Sequence, residues 1–231
     1  MAKSFRFLLR FALVNLAALF LCAAILIAGC YATGITHDAS RYTIFEIYYS
    51  MSPFIILLFL FLYAFALCTN NLNLGMSMGA RRKDFFWAIQ GIILFYTVVC
   101  WALQRFLTGL PAAAGWADRD RWSLLMLYSG KFWTFPLLCI VLLVLGCLVG
   151  LLMVRHRMLA AFLLVFVCLA ASGGTAFMLI VTDTRMVTVL TGDGWGWLFT
   201  TLPKILPVVL AATVAGGEFL MWRAIRNYTV R

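Results

Sequence analysis

The stretch Thr134-Phe135-Pro136-Leu137-Leu138-Cys139-Ile140-Val141-Leu142-Leu143-Val144-Leu145-Gly146-Cys147-Leu148-Val149-Gly150-Leu151-Leu152-Met153-Val154 carries no charge and stops at Arg155-His156-Arg157. As a helix these 21 residues span about 31 Å, close to the apolar thickness of a bilayer. The run is apolar on every side and does not alternate, which favours a lipid-embedded helix over a barrel strand. A helix also satisfies its own backbone hydrogen bonds where no water is present. Five further runs read the same way: Phe11–Ile35, Pro53–Thr69, Phe85–Phe106, Leu159–Val181 and Leu202–Trp222. The expected fold is an all-α integral membrane protein, one domain over residues 1–231, with six transmembrane helices.

Composition agrees. Hydrophobic residues make up 65% of the 231 residues and charged residues 11%, against roughly 45–50% and 25% in soluble domains. One soluble core of this size would not cover that much apolar surface. Water-soluble enzymes, disordered tails and disulfide scaffolds are excluded on this ground.

The net charge of +10 is distributed between the runs rather than on one nucleic-acid-binding face, so no nucleic acid partner is expected. One set of connections holds Lys3, Arg6, Arg10, Arg81, Arg82, Lys83, Arg155, Arg157, Arg223, Arg226 and Arg231, with Asp84 and Glu218 as its acids. The other holds Arg41, Arg105, Arg119, Arg121, Lys131, Arg185 and Lys204, nearly balanced by Asp38, Glu46, Asp118, Asp120, Asp183 and Asp193. The positive-inside rule assigns the first set, and with it both termini, to the cytoplasm.

Met1–Arg10 intersperses Phe5, Leu8 and Leu9 among its cations, which suits either a short interfacial helix or ordinary basic flanking sequence. Ile27-Ala28-Gly29-Cys30 matches a lipoprotein cleavage box, but its apolar run is longer than a signal core. The seven cysteines sit in or near apolar runs without C-x-x-C spacing and read as small apolar side chains. Tyr42, Phe45, Tyr48 and Tyr49, then Trp116, Trp122 and Trp133, read as an aromatic belt. Gly146 and Gly150 form a G-x-x-x-G, the signature of close helix packing, within the chain or between two copies.

The connection between the second and third runs reads Asn70-Asn71-Leu72-Asn73-Leu74-Gly75-Met76-Ser77-Met78-Gly79-Ala80-Arg81-Arg82-Lys83-Asp84-Phe85-Phe86-Trp87. It is too short for a domain and has room for one or two helical turns parallel to the membrane. Its three cations suit headgroups, and its aromatic residues suit the interface. The run Ser77–Phe86 resembles the same connection in bacterial type 2 ABC exporter permeases, where small residues precede a basic pair, a polar residue and paired aromatics. Six spans, inside termini and basic ends are similar to that family along the whole chain.

The resemblance implies an ATPase-coupling segment at Gly75, Ser77, Gly79, Ala80, Arg81, Arg82, Lys83, Asp84, Phe85 and Phe86. It also implies a re-entrant pair at Arg185–Lys204, a separate ABC ATPase subunit holding ATP and Mg, and a second permease copy or paralogue. The chain itself has no G-x-x-x-x-G-K-[ST] phosphate loop. The implied substrate is amphipathic, peptide-like or lipid-like, and the implied site of action is the bacterial cytoplasmic membrane.

Polar residues within spans mark functional positions by default. Glu218, Gln90 and Asn15 are therefore candidates for a substrate path or gate. Glu218 is also near enough to Arg223 to pair with it, and Gln90 and Gln104 suit interhelical hydrogen bonds. No catalytic set and no metal set is read from the sequence, since His37 and His156 fall on opposite sides. A non-transporting membrane adaptor or sensor is the alternative reading, and a membrane-embedded enzyme using Glu218 lacks a second inward acid or histidine.

Overall fold

The computed structural model describes residues 2–34, 43–77, 79, 81–115, 134–165, 169 and 196–226. Among them all regular structure is helical. Helix α1 covers Ala2–Thr33, α2 Ile44–Ser50 and α3 Ser52–Ala66. A π turn at Leu67–Asn71 carries α3 into α4, Leu72–Ser77. Then come α5 at Arg82–Ala113, α6 at Thr134–Arg155 and α7 at Gly196–Arg226, with a further helical stretch over 157–165. Five helical segments are long and apolar enough to cross a membrane: Lys3–Thr33, Ser52–Ser77, Arg82–Pro111, Phe135–Val154 and Val208–Arg226. The protein is thus an all-helical membrane protein in its described parts.

Several boundaries move from their sequence positions. The basic start is not a separate interfacial helix, because α1 is continuous from Ala2. Its first turns pack on protein: Leu8 and Ala12 are buried, and Phe5 lies over Gly91. The second run does not end its helix at Thr69 but continues through the π turn to Ser77, so the one or two helical turns expected in this connection, Leu72–Ser77, are continuous with the apolar helix before them. The third span continues past Phe106 through Pro111. The expected re-entrant pair at Arg185–Lys204 has its first part outside the described residues, and from Gly196 to Lys204 the chain belongs to the long α7. The aromatic belt is only partly a belt: Tyr48 is exposed, while Tyr49 is buried and Phe45 packs over Gly29. Tyr42, Trp116, Trp122 and Trp133 lie outside the described residues.

The tightest packing joins α3 to α6. A Cβ at Gly146 would stand 2.7 Å from the Phe61 carbonyl oxygen and 2.8 Å from Ala64 Cβ. One at Gly150 would stand 2.7 Å from the Phe65 carbonyl oxygen and 2.9 Å from Cys68 Cβ. The G-x-x-x-G motif is therefore used within the chain, against Ala64 and Cys68 at the same four-residue spacing.

Cross-helix contacts set the directions. Contacts from Phe61 to Gly146 and from Phe65 to Gly150 make α3 and α6 parallel. Contacts from Phe5 to Gly91 and from Asn15 to Tyr96 make α1 and α5 parallel. The Tyr63–Tyr96 stack, with centroids 4.4 Å apart, joins α3 to α5. The starts of α1 and α5 and the ends of α4, α6 and α7 consequently share one end. Lys3, Arg6, Arg10, Arg81, Arg82, Lys83, Arg155, Arg157, Arg223 and Arg226 belong to it. Helices α6 and α7 run the same way, so Arg155 and Gly196 stand at opposite ends. The span expected at Leu159–Val181 falls between them, and beyond 157–165 it lies, residue 169 aside, outside the described residues.

Pro111 inside α5 lacks the amide hydrogen that would bond the Leu107 carbonyl four residues back. That carbonyl accepts instead from the buried Tyr49 hydroxyl, at 2.5 Å. Burial, with Cys30 beside it, pushes the Tyr49 phenol above its ordinary value, so the group keeps the proton it donates. The bond fixes α2 across the top of α5. Helix α2 itself starts at a capping box: the Thr43 amide donates to Glu46 Oε2 at 2.6 Å, and the Glu46 amide donates to Thr43 Oγ1 at 3.3 Å.

Two outcomes follow for stability, both read by thermal unfolding in detergent. Gly146→Ala should cost about 1–3 kcal/mol by overpacking, whereas Gly109→Ala, with nothing within 4 Å of its Cβ, should be neutral or slightly stabilising. Equal melting temperatures would contradict the close α3–α6 approach. Tyr49→Phe should cost about 1–3 kcal/mol by orphaning the Leu107 carbonyl. In a Pro111→Ala background that cost should largely vanish, because an alanine there restores the missing amide donor; an undiminished cost would refute the assignment.

Candidate functional site

The connection at the basic end is a tight helical hairpin. The Gly79 amide donates to the Met76 carbonyl at 3.1 Å, and Gly79 has φ +79°, a left-handed conformation that glycine adopts without strain. Ser77 closes α4 by donating to the Leu74 carbonyl at 2.8 Å. Arg81 is extended (φ −71°, ψ 136°), and its carbonyl accepts from the Phe85 amide at 2.9 Å, which starts α5. Asp84 lies in that first turn, where a negative charge suits the helix dipole.

The ten residues expected to form a coupling segment divide by burial. Gly75 and Phe85 are buried against each other, and a Cβ at position 75 would collide with the Phe85 ring. This contact holds the two arms of the hairpin together. Ser77, Gly79, Arg81, Arg82 and Lys83 are exposed, and Asp84 and Phe86 are half-buried. Ala80 lies outside the described residues.

A second feature is not evident from any one segment. Arg82, Phe86 and Gln90 on α5 meet Arg226, Trp222 and Glu218 on α7, each set spaced by four residues. Arg82 donates to the Arg226 carbonyl at 2.7 Å. The rings of Phe86 and Trp222 meet edge to face, with centroids 5.0 Å apart. The Gln90 side-chain amide donates to Glu218 Oε2. Four residues make slightly more than one turn, so each triplet forms a stripe, and antiparallel helices bring the stripes together rung by rung over about 12 Å. The Arg82 contact also supplies a donor to one of the last carbonyls of α7, which have no partner within the helix. Trp222 and Arg226 are site residues that sequence reasoning missed. Their stripe is visible in the sequence; its partner stripe is not.

The three polar candidates do not form one path. Gln90 and Glu218 come together, and Glu218 is engaged with Gln90 while Arg223 is exposed. Asn15 lies elsewhere: its Oδ1 accepts from the Tyr96 hydroxyl at 2.7 Å. Tyr96 is about 120° around α5 from Gln90. The same hydroxyl reaches the Ala12 carbonyl at 3.2 Å, and Tyr63 reaches the Leu8 carbonyl at 3.5 Å. Asn15 therefore belongs to a tyrosine-lined seam joining α1, α3 and α5. Gln104, also expected to bond between helices, is buried.

Here amides, a carboxylate, aromatic rings and a guanidinium on a carbonyl join α5 to α7. The arrangement combines an exposed basic tip, a hairpin closed by Gly75 and Phe85, and three rungs joining it to the last helix. Comparison with protein-family models, with curated proteins and with solved structures gives no match.

Unfolding measurements separate the two polar groups. Asn15→Ala and Tyr96→Phe should each cost about 0.6 kcal/mol, the mean for a hydrogen bond between membrane helices. Combined, they should cost less than the sum of the two, because either change alone already removes the bond they share, whereas Asn15→Ala with Gln90→Leu should be additive. Coupling in the second pair would place all three residues in one site.

Proposed function

We propose that this chain is the membrane-spanning permease subunit of an ABC exporter in the bacterial cytoplasmic membrane. It works as a dimer, with a second copy or a paralogue. A separate ATPase subunit binds ATP and Mg. Its docking element is the hairpin Gly75–Phe86, and the end that carries it faces the cytosol. ATP binding closes the ATPase pair, the hairpin moves with it, and the helices alternate between inward and outward access for an amphipathic, peptide-like or lipid-like substrate. Such coupling needs nucleotide to favour one of two states of the spans over the other.

One observation carries this reading. The segment that resembles the exporter coupling connection is the tip of a packed hairpin, with Arg81, Arg82 and Lys83 exposed on it. A loop that only met headgroups would need its charges but not the buried Gly75–Phe85 contact or the rungs to α7. A docking element needs both, because a force applied to a loose loop is lost in bending it.

Affinity purification from native membranes in mild detergent, followed by mass spectrometry, tests the reading. A stoichiometric ATPase is expected with the wild-type protein. Arg81→Ala/Lys83→Ala should lower the retained ATPase by about tenfold or more, the equivalent of about 1.4 kcal/mol, with an unchanged melting temperature. Arg82 is kept because it also holds the Arg226 carbonyl. A clean preparation without an ATPase would overturn the exporter reading in favour of an adaptor or sensor.

A further inference from the structure

The last helix is held unevenly. On its outer side Val208, Val209, Phe219 and Leu220 are exposed, as suits lipid contact. On its inner side Gly217 packs against Val144 of α6, and Met221 and Ile225 are buried. Those contacts are apolar and short in reach, and they allow sliding along the helix axis at little cost. The directional contacts are the three rungs to α5. Three contacts at different heights resist sliding, rotation and splaying together, whereas one contact allows a pivot.

The middle of this device is chemically unequal. The Phe86–Trp222 rung is an edge-to-face ring pair with no hydrogen bond of its own. The Arg82 rung stands at the exposed end of the helices, where water competes for it. The Gln90–Glu218 rung is deepest and half-buried, and an amide donates there to a carboxylate inside a span. An acceptor of that kind is expensive to leave without a donor in an apolar medium. It is also the polar group of α7 nearest the point where that helix packs on α6, since Gly217 is its neighbour in sequence.

We propose that Glu218 is a positioning residue: through the Gln90 amide it fixes the Gly75–Phe86 hairpin to the carboxyl-terminal helix, so that α7 moves with the hairpin. This rests on the proposed function for what displaces the hairpin. The existence of a single mechanical unit does not rest on it. The first turns of α5 and the last turns of α7 form one body, and displacement of the tip reaches α7 directly through the rungs on α5.

Hydrogen exchange of the full-length protein in phosphatidylethanolamine–phosphatidylglycerol nanodiscs tests the unit without any ATPase. Glu218→Leu should raise exchange about threefold or more over 79–86 and 222–226, the effect of losing one membrane hydrogen bond of average strength. Exchange in α1 and α3 should stay at the wild-type level. Gln90→Leu should give the same pattern from the other helix, so the test survives if either variant fails to fold. Glu218→Gln, which retains an acceptor, and the exchanged pair Gln90→Glu/Glu218→Gln should restore protection. Unchanged hairpin exchange in Glu218→Leu and Gln90→Leu would overturn the proposal, as would a loss of protection that the exchanged pair leaves unrepaired. With the co-purified ATPase, Glu218→Leu should keep the ATPase bound while reducing transport-coupled hydrolysis; full coupling in that variant would also overturn it. Absence of any ATPase from the wild-type preparation would overturn the proposed function alone, and hydrogen exchange would still decide the rungs.

Discussion

Closest approach between α3 and α6 is the constraint on which the helix arrangement depends. Lipid supplies no hydrophobic force between helices, so their association rests on packing and on hydrogen bonds. Gly146 and Gly150 let the α6 backbone reach the Phe61 and Phe65 carbonyls, and Ala64 and Cys68 keep the opposing surface low. Everything else is referred to that pair. Helix α7 packs on α6 through Gly217 and Val144, and α5 stacks on α3 through Tyr96 and Tyr63. Helix α1 then lies along α5, with Phe5 over Gly91 and Asn15 on Tyr96.

Among the described residues, several interior polar groups are tied to a partner across a helix boundary. The Leu107 carbonyl freed by Pro111 is taken by Tyr49, and the Asn15 side chain is taken by Tyr96. The Glu218 carboxylate is met by Gln90. An apolar surround makes such bonds expensive to leave unmade. Packing brings the helices near one another, and these bonds select the register in which they meet. The same economy ties the basic hairpin to α7, because Arg82 finds its acceptor among the unpaired carbonyls at the end of that helix.

Much of the fold was legible in the sequence, and the boundaries that moved have local causes. The uncharged run Thr134–Val154 matches α6 within a residue, since charge at Arg155 and Arg157 marks where the apolar surround ends. Pro111 reads as a loop residue by its chemistry, yet it lies within α5 because a side chain from α2 repairs the missing bond. The start of α1 reads by its cations as either an interfacial helix or basic flanking sequence, and in the fold it is the continuous first part of α1, with Leu8 and Ala12 buried. Thr43-x-x-Glu46 carried a readable capping box that counting charges passes over. At the candidate site, the basic tip was legible from Arg81, Arg82 and Lys83, and Glu218 and Gln90 were legible as polar residues in apolar runs. That these two share a bond, and that Asn15 belongs to another seam, was not.

Sequence by itself determined that the chain is helical and membrane-embedded, roughly where five of its long apolar helices lie, and which connections are basic. Those are sums over neighbouring residues: transfer of a run into lipid depends on its own side chains and length. Tertiary structure alone decided that Gly146 and Gly150 serve α3 rather than a second copy, that Tyr49 completes α5, and that Arg82, Phe86 and Gln90 face Arg226, Trp222 and Glu218. Each of those facts is a relation between residues tens of positions apart or more. A stripe at four-residue spacing shows which face of a helix is special, but which neighbour it meets depends on how all the helices share one limited set of close contacts.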